Sequence, residues 1–390
     1  MRVTFFHYLH KSAGSLVQGN KFARAFRALG HEVNLHALEA AGPVRGDSKA
    51  GKPFLSRYFH EINSLKKNLI NFRKECALVE KEKPDLILAR YKLYRISPAW
   101  TAKRFNLPLV TWVHAPLAFE QKHYGREFVQ VPGLAERVER TFLKKADGLV
   151  LVSEELEKFI PPGGQNQKRA VIPNGADPDE LYPGLDGSLF RNRFPVKNPV
   201  VLGFVGSFSP WHGLKTLKMW MDYALQNFPS AVFLLAGDGP GRGELETFSR
   251  SGKWNAARVL FAGSLEHDRI PEAVAAMDIC LLPYDQSPEE FYFSPLKLFE
   301  YMAAGKPVLA TGIGQIPAIL RDHREGLLHG PQDALKGIPQ LGKLIEDASL
   351  RQRLGQAARE RIRENYTWRH TAMSAAVFCQ AVLEGRKAPA

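Results

Sequence analysis

The stretch Ser294-Pro-Leu-Lys-Leu-Phe-Glu-Tyr-Met-Ala-Ala-Gly-Lys-Pro-Val308 decides how this chain folds. It follows one apolar run, and its own last residues begin another, which predicts a strand, a helix and a second strand. Within the stretch, Leu296, Phe299 and Met302 recur at helical spacing, and Gly305 is placed to end the helix. The pattern therefore predicts one repeat of an open α/β sheet.

Two charged side chains of this helix, Lys297 and Glu300, are three residues apart and can face the same way. They lie near a helix N-terminus just beyond a strand's carboxyl end, where open α/β sheets bind ligands and backbone N–H groups favour an anion. A lysine can add charge to a phosphate, and a glutamate can accept hydrogen bonds from sugar hydroxyls. On spacing alone, an ordinary amphipathic helix with two solvated charges is an equally good interpretation.

Length and composition indicate a globular chain of two domains. It has 390 residues, of which 45% are hydrophobic and 24% are charged. No apolar run approaches the ~20 residues of a membrane span, and residues 1–9 indicate a first strand rather than a signal peptide. The three cysteines, Cys76, Cys280 and Cys379, are too far apart to suggest a disulfide framework or a metal site. We therefore expect a cytoplasmic location.

The net charge of +13 is concentrated in the first half. Residues 1–180 hold 29 Lys and Arg against 19 Asp and Glu. Such a surface can meet nucleic acid, an anionic membrane or anionic substrates, or can simply be solvated. A basic helix predicted over 61–83, with Leu65, Leu69 and Phe72 as its apolar face, can lie on a membrane or pack that face on the sheet.

Strands and helices alternate along the chain, and the alternation stops and restarts once. Proline and glycine are frequent around 178–199, without hydrophobic periodicity, which predicts a linker at 181–199. The predicted fold class is α/β, with an N-terminal doubly wound domain over 1–180 and a C-terminal one over 200–366. The last segment, 367–390, is predicted to be a helix.

Several loops that follow predicted strands carry residues of interest. His114 follows a strand and is a candidate for chemistry near neutral pH, although a locally bonded loop histidine is the commoner case. Glycines at Gly14 and Gly237 lie where backbone can approach a ligand, or can serve only in turns. The spacing Gly237-x-Gly-x-Gly241 differs from the dinucleotide fingerprint, so we predict no nicotinamide cofactor.

Taken together, these segments resemble the retaining glycosyltransferases of the GT-B fold, in the large family-4 group. Five motifs occur in the family's order: Val152-Ser-Glu154; Val171-Ile-Pro-Asn-Gly-Ala-Asp177; Gly203-Phe-Val-Gly206 with Trp211-His-Gly213; Leu235-Ala-Gly-Asp-Gly-Pro240; and Ser294 to Val308. The resemblance implies two Rossmann-like domains facing across an interdomain cleft, with the nucleotide-sugar bound mainly by the second. It also implies that the final helix crosses back to the first domain.

The resemblance assigns roles to individual residues. Glu300 would bind the ribose hydroxyls of the donor, and His114 would lie near the donor sugar and its phosphate. The other implied donor contacts are the loops near Gly237 and Leu265 at the base, and the amides around Ser294 and Leu296 at the diphosphate, with Gly14 opposite.

One departure from the family concerns acidic residues. The family often has Glu, seven residues, then Glu, but the position eight before Glu300 is Tyr292. Glu289 and Glu290 are close but in a different register. Because this position holds a tyrosine, we do not predict the family's usual contact between a first glutamate and the donor sugar.

A second departure concerns the diphosphate. The family often places Arg and Lys after the first strand of the C-terminal domain, where this chain has Ser207 and His212. We hypothesise that His212 donates a hydrogen bond and that Lys297 supplies the missing cation.

The expected activity is transfer of a sugar from a UDP- or GDP-linked donor to a hydroxyl, with retention of configuration. The basic first half suits a lipid-linked or anionic glycan acceptor at the cytoplasmic membrane face, as in cell-surface polysaccharide or glycolipid assembly. No Asp-x-Asp motif follows a strand, so neither metal nor cofactor is expected. The alternatives are a nucleotide-sugar epimerase, a sugar phosphorylase and, on charge alone, a nucleic-acid-binding protein for which no motif is present.

Overall fold

The computed structural model describes residues 1–8, 14–38, 60–124, 131–164, 166–285, 287 and 289–387. The chain divides into two compact units. The first comprises Met1–Pro173 and Trp368–Ala390, and the second comprises Asn174–Thr367. Within the described ranges, each unit contains one six-stranded parallel sheet, which confirms the predicted α/β class.

The strands of the first sheet lie in the order β2-β1-β3-β4-β5-β6, and those of the second in the order β12-β11-β10-β7-β8-β9. The strands are β1 Arg2–His7, β2 Glu32–Ala37, β3 Leu86–Arg90, β4 Leu109–Val113, β5 Gly148–Leu151, β6 Lys168–Val171, β7 Val200–Val205, β8 Ala231–Ala236, β9 Val259–Gly263, β10 Ile279–Leu282, β11 Val308–Thr311 and β12 Gly326–His329. Because each sheet grows first to one side and then to the other, each is doubly wound. Its topological switch point lies between β1 and β3 in the first unit and between β7 and β10 in the second.

The helices connect successive strands, and three of them follow the last strand. They are α1 Gly14–Ala28, α2 His60–Glu82, α3 Ser97–Arg104, α4 Leu117–Tyr124, α5 Leu134–Leu143, α6 Ser188–Arg191, α7 Leu214–Asn227, α8 Arg242–Ser251, α9 Ile270–Ala275, α10 Leu296–Ala303, α11 Ile316–Ile319, α12 Gly337–Glu346, α13 Ala348–Asn365 and α14 Trp368–Lys387. In the part of the chain covered by the structure, no helix is long and apolar enough to cross a bilayer.

The opening stretch has the predicted structure. Helix α10 lies between β10 and β11, and it ends at Ala303, two residues before Gly305, whose φ of 68° suits a helix stop. Leu298, Phe299 and Met302 are fully buried in the core of the second unit. The backbone N–H of Val205 donates a 2.8 Å hydrogen bond to the hydroxyl of Tyr301, which ties α10 to the end of β7.

The final helix belongs to the first unit, as predicted. Helix α14 packs against α1 and β5. Gly148 at the start of β5 makes this possible, because a Cβ there would lie 2.9 Å from ring atom Cε1 of Phe378 and 2.9 Å from Val382. Residues 388–390 of the predicted helix lie outside the described residues.

The segment predicted as a linker, 181–199, is placed differently. It belongs to the second unit, where Leu181, Phe190 and Phe194 are buried in the core. Arg191 fixes it by donating to the carbonyl of Ala276 and to the carboxylate of Asp278. The prolines and glycines of the segment interrupt helical periodicity, but its apolar residues still cover the sheet.

The predicted apolar face of the basic helix is wrong at Leu69, whereas Leu65 and Phe72 are half-buried. In α2, Leu69 is 63% exposed, whereas Asn68, Asn71 and Glu75 are buried. Asn68 and Glu75 have hydrogen-bond partners elsewhere in the first unit, which offset part of the cost of burying them on the inner face.

Candidate functional site

The loops after β7 and β10 meet at the switch point of the second sheet, which is where open α/β sheets bind ligands. The first loop carries Ser207 and His212. The second leads to Lys297 near the start of α10. These three predicted site residues are therefore brought to one place by the topology of a single unit.

Lys297 is the most unusual group at this site. Its Nζ is buried, has no hydrogen-bond partner among the described residues, and lies 4.2 Å from the ring centroid of Phe204. The glycine at 206 leaves room for it, since a Cβ there would be only 2.7 Å from Nζ. Burial lowers the pKa of Lys297 to about 7, an effect that the charge of Glu300 partly opposes. A buried amine with three unused N–H groups is suited to an anionic ligand.

His212 lies close enough to Lys297 for the charge of the lysine to affect it. The Oγ of Ser207 is 2.8 Å from the Oγ of Ser209 and 3.5 Å from the Nδ1 of His212. Burial, with a smaller contribution from the charge of Lys297, lowers the pKa of His212 to about 2. The imidazole is therefore neutral near pH 7 and can offer a hydrogen bond but no charge, which leaves Lys297 as the cation of this cluster.

The start of α10 is held in place by a residue that the sequence analysis did not single out. The side-chain amide of Asn174 donates a 2.9 Å hydrogen bond to the carbonyl of Ser294, and its backbone N–H donates to the Ser294 hydroxyl. Pro295 occupies the N-cap position and no side chain caps the helix, so the N–H groups of Leu296 and Lys297 face no capping side chain. The only sequence signal for Asn174 was its place in the motif from Val171 to Asp177.

The glycines after β8 have a packing role. Gly237 and Gly239 have φ values of 132° and 149°, and a Cβ on either would lie within 2 Å of the carbonyl oxygens of Gly206 and Ser207, respectively. These glycines thus let the loops after β7 and β8 pack backbone against backbone. Leu265 lies two residues beyond β9, half-buried against the core of the unit.

Glu300 and the residues near the family's first glutamate position differ in how far they are buried. Glu300 is 8% exposed and lies one turn after Lys297. Tyr292, which stands where the family often has a first glutamate, is fully buried. Glu289 and Glu290 are exposed in a turn. Of the four, only Glu300 combines a carboxylate with a buried position at the switch point.

The first unit holds the other two predicted residues. Gly14 is the first residue of α1, and His114 follows β4 at the carboxyl edge of the sheet. The His114 ring packs on Trp112 with centroids 4.6 Å apart, and both ring nitrogens are shielded from solvent. Burial, with the nearby charge of Arg90, lowers the pKa of His114 well below its usual value. His114 is therefore a neutral imidazole near pH 7.

The described residues contain no group of three or more His, Cys, Asp and Glu side chains arranged to hold a metal ion. The three cysteines are free and buried, at Cys76, Cys280 and Cys379.

Comparison with solved structures assigns the fold. A sucrose-phosphate synthase from Thermosynechococcus elongatus matches with a TM-score of 0.72 and 20% identity, over 98% of this chain and 99% of that chain. Anabaena HepE, solved in complex with UDP-glucose, matches with a TM-score of 0.71 and 21% identity, over 98% of this chain and all of that one. The architecture is that of the GT-B glycosyltransferases.

Family models and curated relatives agree with this assignment. The model for Glycosyltransferase Family 4 matches residues 20–180, and the model for Glycosyl transferases group 1 matches residues 199–347. The chain belongs to the glycosyltransferases that these two models describe.

Two relatives illustrate the range of the family. A sulfoquinovosyl transferase from Arabidopsis thaliana is 28% identical over 74% of this chain and 54% of its own length, so the chain spans about half of that relative. A glycosyltransferase from Bacillus subtilis, whose name assigns it to teichuronic acid biosynthesis, is 30% identical over 45% of this chain and 43% of its own length.

Proposed function

We propose that this chain transfers a sugar from a nucleoside diphosphate sugar, UDP- or GDP-linked, to a hydroxyl, with retention of the anomeric configuration. The observation that carries the proposal is the buried Nζ of Lys297, which has no hydrogen-bond partner in the described part of the chain and lies at a sheet switch point. A buried ammonium without a hydrogen-bond partner is costly, and a diphosphate would supply both hydrogen-bond acceptors and negative charge. The complex of Anabaena HepE with UDP-glucose supports a donor of this class.

The donor would be held by groups from several loops. The diphosphate would bind Lys297 and the N–H groups at the start of α10, around Ser294 and Leu296. Glu300 would accept hydrogen bonds from the ribose hydroxyls. The remaining proposed contacts are Ser207 and His212 beside the diphosphate, Gly237 and Leu265 near the base, and Gly14 and His114 from the first unit.

The reaction breaks the bond between the anomeric carbon and the diphosphate oxygen, whose electron pair leaves with the nucleotide. A bond from the acceptor oxygen to the anomeric carbon forms on the same face, and the acceptor proton passes to the leaving phosphate. Negative charge grows on the diphosphate as the oxocarbenium-like transition state forms. Lys297 stabilises that charge from a position fixed before the reaction. His114, being neutral, would hydrogen-bond a sugar hydroxyl rather than neutralise a phosphate.

The proposal requires no cofactor, because the donor carries the sugar. It also assigns no metal, because Lys297 supplies the positive charge at the diphosphate.

For the acceptor, we propose a lipid-linked or anionic glycan in cell-surface polysaccharide or glycolipid assembly. Residues 1–180 carry an excess of ten positive charges, which favours an anionic acceptor. The relative whose name assigns it to teichuronic acid biosynthesis supports a cell-surface product. The corresponding location is the cytoplasm, at the membrane surface.

The test has two stages. Thermal unfolding is followed with UDP-, GDP-, ADP- and dTDP-sugars for the native chain, Lys297→Met, Glu300→Ala and the matched control Lys215→Met, an exposed lysine at the start of α7. We expect one nucleotide class to stabilise the native and control proteins, with affinity about ten- to hundredfold lower in the other two. No stabilisation by any donor would refute the proposal.

In the second stage, the product formed with the selected donor is analysed by NMR. Retention appears as an unchanged anomeric coupling constant in the transferred sugar. Conversion of the donor without an acceptor would indicate an epimerase, and a requirement for inorganic phosphate would indicate a phosphorylase.

A further inference from the structure

Helix α2 carries apolar side chains on both of its faces. Its inner face contains Cys76 and Val79 beside the polar residues Asn68, Asn71 and Glu75, while Leu69 and Ile70 are 63% and 57% exposed. A helix that packs on a sheet normally buries its apolar stripe and exposes its polar one. Both the buried polar side chains and the exposed Leu69 and Ile70 therefore need an explanation.

Two polar side chains of the inner face, Glu75 and Asn68, are held by hydrogen bonds. Glu75 accepts hydrogen bonds from the hydroxyls of Tyr8, Ser97 and Thr101, at 2.8, 2.6 and 2.8 Å. Asn68 donates to the carbonyl of Tyr94 and accepts from the backbone N–H of Ile96. These bonds fix the rotation of the helix, so Leu69 and Ile70 cannot turn inward without breaking them.

The outer face combines apolar and basic side chains. Lys66, Leu69, Ile70 and Arg73 are at positions i, i+3, i+4 and i+7, which places them on one stripe. Lys67 and Lys74 flank the stripe, and all six residues are exposed. No carboxylate within the described residues forms an ion pair with the four cations, and residues 63–74 contain no Asp or Glu.

We propose that this face of α2, defined by Lys66, Lys67, Leu69, Ile70, Arg73 and Lys74, docks on a bilayer containing anionic phospholipid. Leu69 and Ile70 would enter the boundary between headgroups and acyl chains, and the four cations would meet lipid phosphates at the level of the headgroups. Helix α2, with 23 residues, would lie along the membrane plane.

Charge complementarity favours a bilayer over other partners. Nucleic acid would use the cations but would leave the two adjacent aliphatic side chains exposed to water. A protein partner would need an acidic rim around an apolar pocket, whereas an anionic bilayer offers negative charge above a hydrocarbon layer along the whole face.

The location of this face suits the proposed acceptor. Asn68 is bonded to the loop that follows β3, at the carboxyl edge of the first sheet. That edge also carries His114. Docking would present a lipid-linked acceptor to this edge, and that purpose rests on the proposed function. The docking itself does not depend on it.

The experiment is co-sedimentation of the full chain with vesicles. One set contains phosphatidylglycerol and phosphatidylcholine in equal parts, and the other contains phosphatidylcholine alone. The variants are Leu69→Gln with Ile70→Gln, and Lys66→Gln with Lys67→Gln. The matched controls are Lys144→Gln with Lys145→Gln, two exposed lysines of the first unit, and Leu335→Gln, a 70% exposed leucine of the second.

We expect binding to the anionic vesicles, weaker binding to the neutral ones, and a loss of about tenfold or more in partition coefficient for each α2 variant. The controls should bind like the native chain, and salt should weaken binding of all anionic samples. Absence of binding, equal binding to both vesicle types, or α2 variants that behave like the controls would each overturn the proposal, and the first would point to a protein partner.

Donor-induced thermal stabilisation is measured on the same variants. It should be unchanged in all of them, which shows that they are folded. If no donor stabilises any sample while vesicle binding still depends on α2, the proposed transferase function fails and the docking surface stands.

Discussion

The Nζ of Lys297 lies 4.2 Å from the ring centroid of Phe204 and makes no hydrogen bond with the described residues. The negative face of the ring stabilises an ammonium without using any of its N–H groups, so all three remain available to a ligand. Because burial lowers the pKa of Lys297 to about 7, its charge depends on what occupies the site.

The first prediction is a pH dependence of donor affinity. In the free protein Lys297 is protonated below about pH 7 and neutral above it. A bound diphosphate favours the charged form, so binding above pH 7 requires uptake of a proton. We expect the Kd for an intact nucleotide-sugar to rise by up to about tenfold per pH unit above pH 7 and to be level below it, as measured by calorimetry.

The matched control for this prediction is Lys297→Arg, because a guanidinium remains charged throughout the range. Its affinity should show no such rise. An intact nucleotide-sugar is used since its diphosphate is esterified at both ends and does not titrate near neutral pH. A native protein whose affinity is level from pH 6 to 9 would contradict the assignment of Lys297 to the diphosphate.

The second prediction concerns Asn174, which bonds both the carbonyl and the hydroxyl of Ser294. Asn174→Ala would release the start of α10 and misplace its N–H groups. We expect donor affinity to fall roughly tenfold, in line with the loss of the one hydrogen bond that the side chain makes, since the backbone N–H remains in the variant. Asn227→Ala is the control, because that exposed side chain bonds only within its own helix. Equal donor affinity in both variants would show that Ser294 does not depend on Asn174.

These residues show what a sequence pattern can and cannot predict. The position of Lys297 and Glu300 on α10 followed from local spacing, because helical periodicity and a terminal glycine are visible within fifteen residues. The hydrogen bond between Asn174 and Ser294 joins positions 120 residues apart, so no local sequence pattern predicts it. The same holds for the burial of Lys297, which depends on Phe204 and Gly206.

Helix α2 shows how local pattern can mislead. Leu65, Leu69 and Phe72 are at helical spacing, so they were predicted to form one apolar face, which could pack on the sheet or lie on a membrane. The structure exposes Leu69 and buries Glu75, because the hydroxyls of Tyr8, just after β1, and of two residues of α3 satisfy its carboxylate. Periodicity ranks faces by hydrophobicity alone, and it cannot account for polar partners supplied from another part of the chain.

The third prediction is a pH-dependent stability that originates at Glu75. Burial raises the pKa of this carboxyl above its ordinary value of 4.5, although three hydroxyl donors oppose the shift. Between 4.5 and the raised pKa, the folded chain holds a proton that the unfolded chain has released. The contribution of Glu75 to the free energy of unfolding is therefore full below 4.5 and is lost as pH rises through the folded pKa.

Chemical denaturation of the native chain and of Glu75→Gln, at several values between about pH 4.5 and pH 8, measures this effect. The glutamine cannot ionise, so its stability should fall less with rising pH than that of the native chain. Glu80→Gln, an exposed position on the same helix, should follow the native pH dependence. Parallel curves for all three proteins would exclude Glu75 as the source.

The fourth prediction tests how the final helix is attached to the first unit. A Cβ at Gly148 would lie 2.9 Å from both Phe378 and Val382, which is closer than side-chain atoms approach in folded proteins. Gly148→Ala therefore forces α14 or its side chains to shift, and we expect a loss of about 1–3 kcal/mol in the free energy of unfolding. The control, Gly243→Ala, adds a Cβ in open space on α8 and should leave stability level or raise it by up to about 1 kcal/mol.

A double-mutant cycle separates overcrowding from a backbone effect. Phe378→Leu removes ring atoms that the new Cβ would meet, at the cost of a cavity when glycine is retained. If crowding is the cause, Gly148→Ala should destabilise the Phe378→Leu protein less than it destabilises the native one, with a coupling of about 0.5–3 kcal/mol. A Gly148→Ala cost that is the same in both backgrounds would show that α14 is not held at this contact. In that case the conformational preference of the backbone at position 148 would be the remaining explanation.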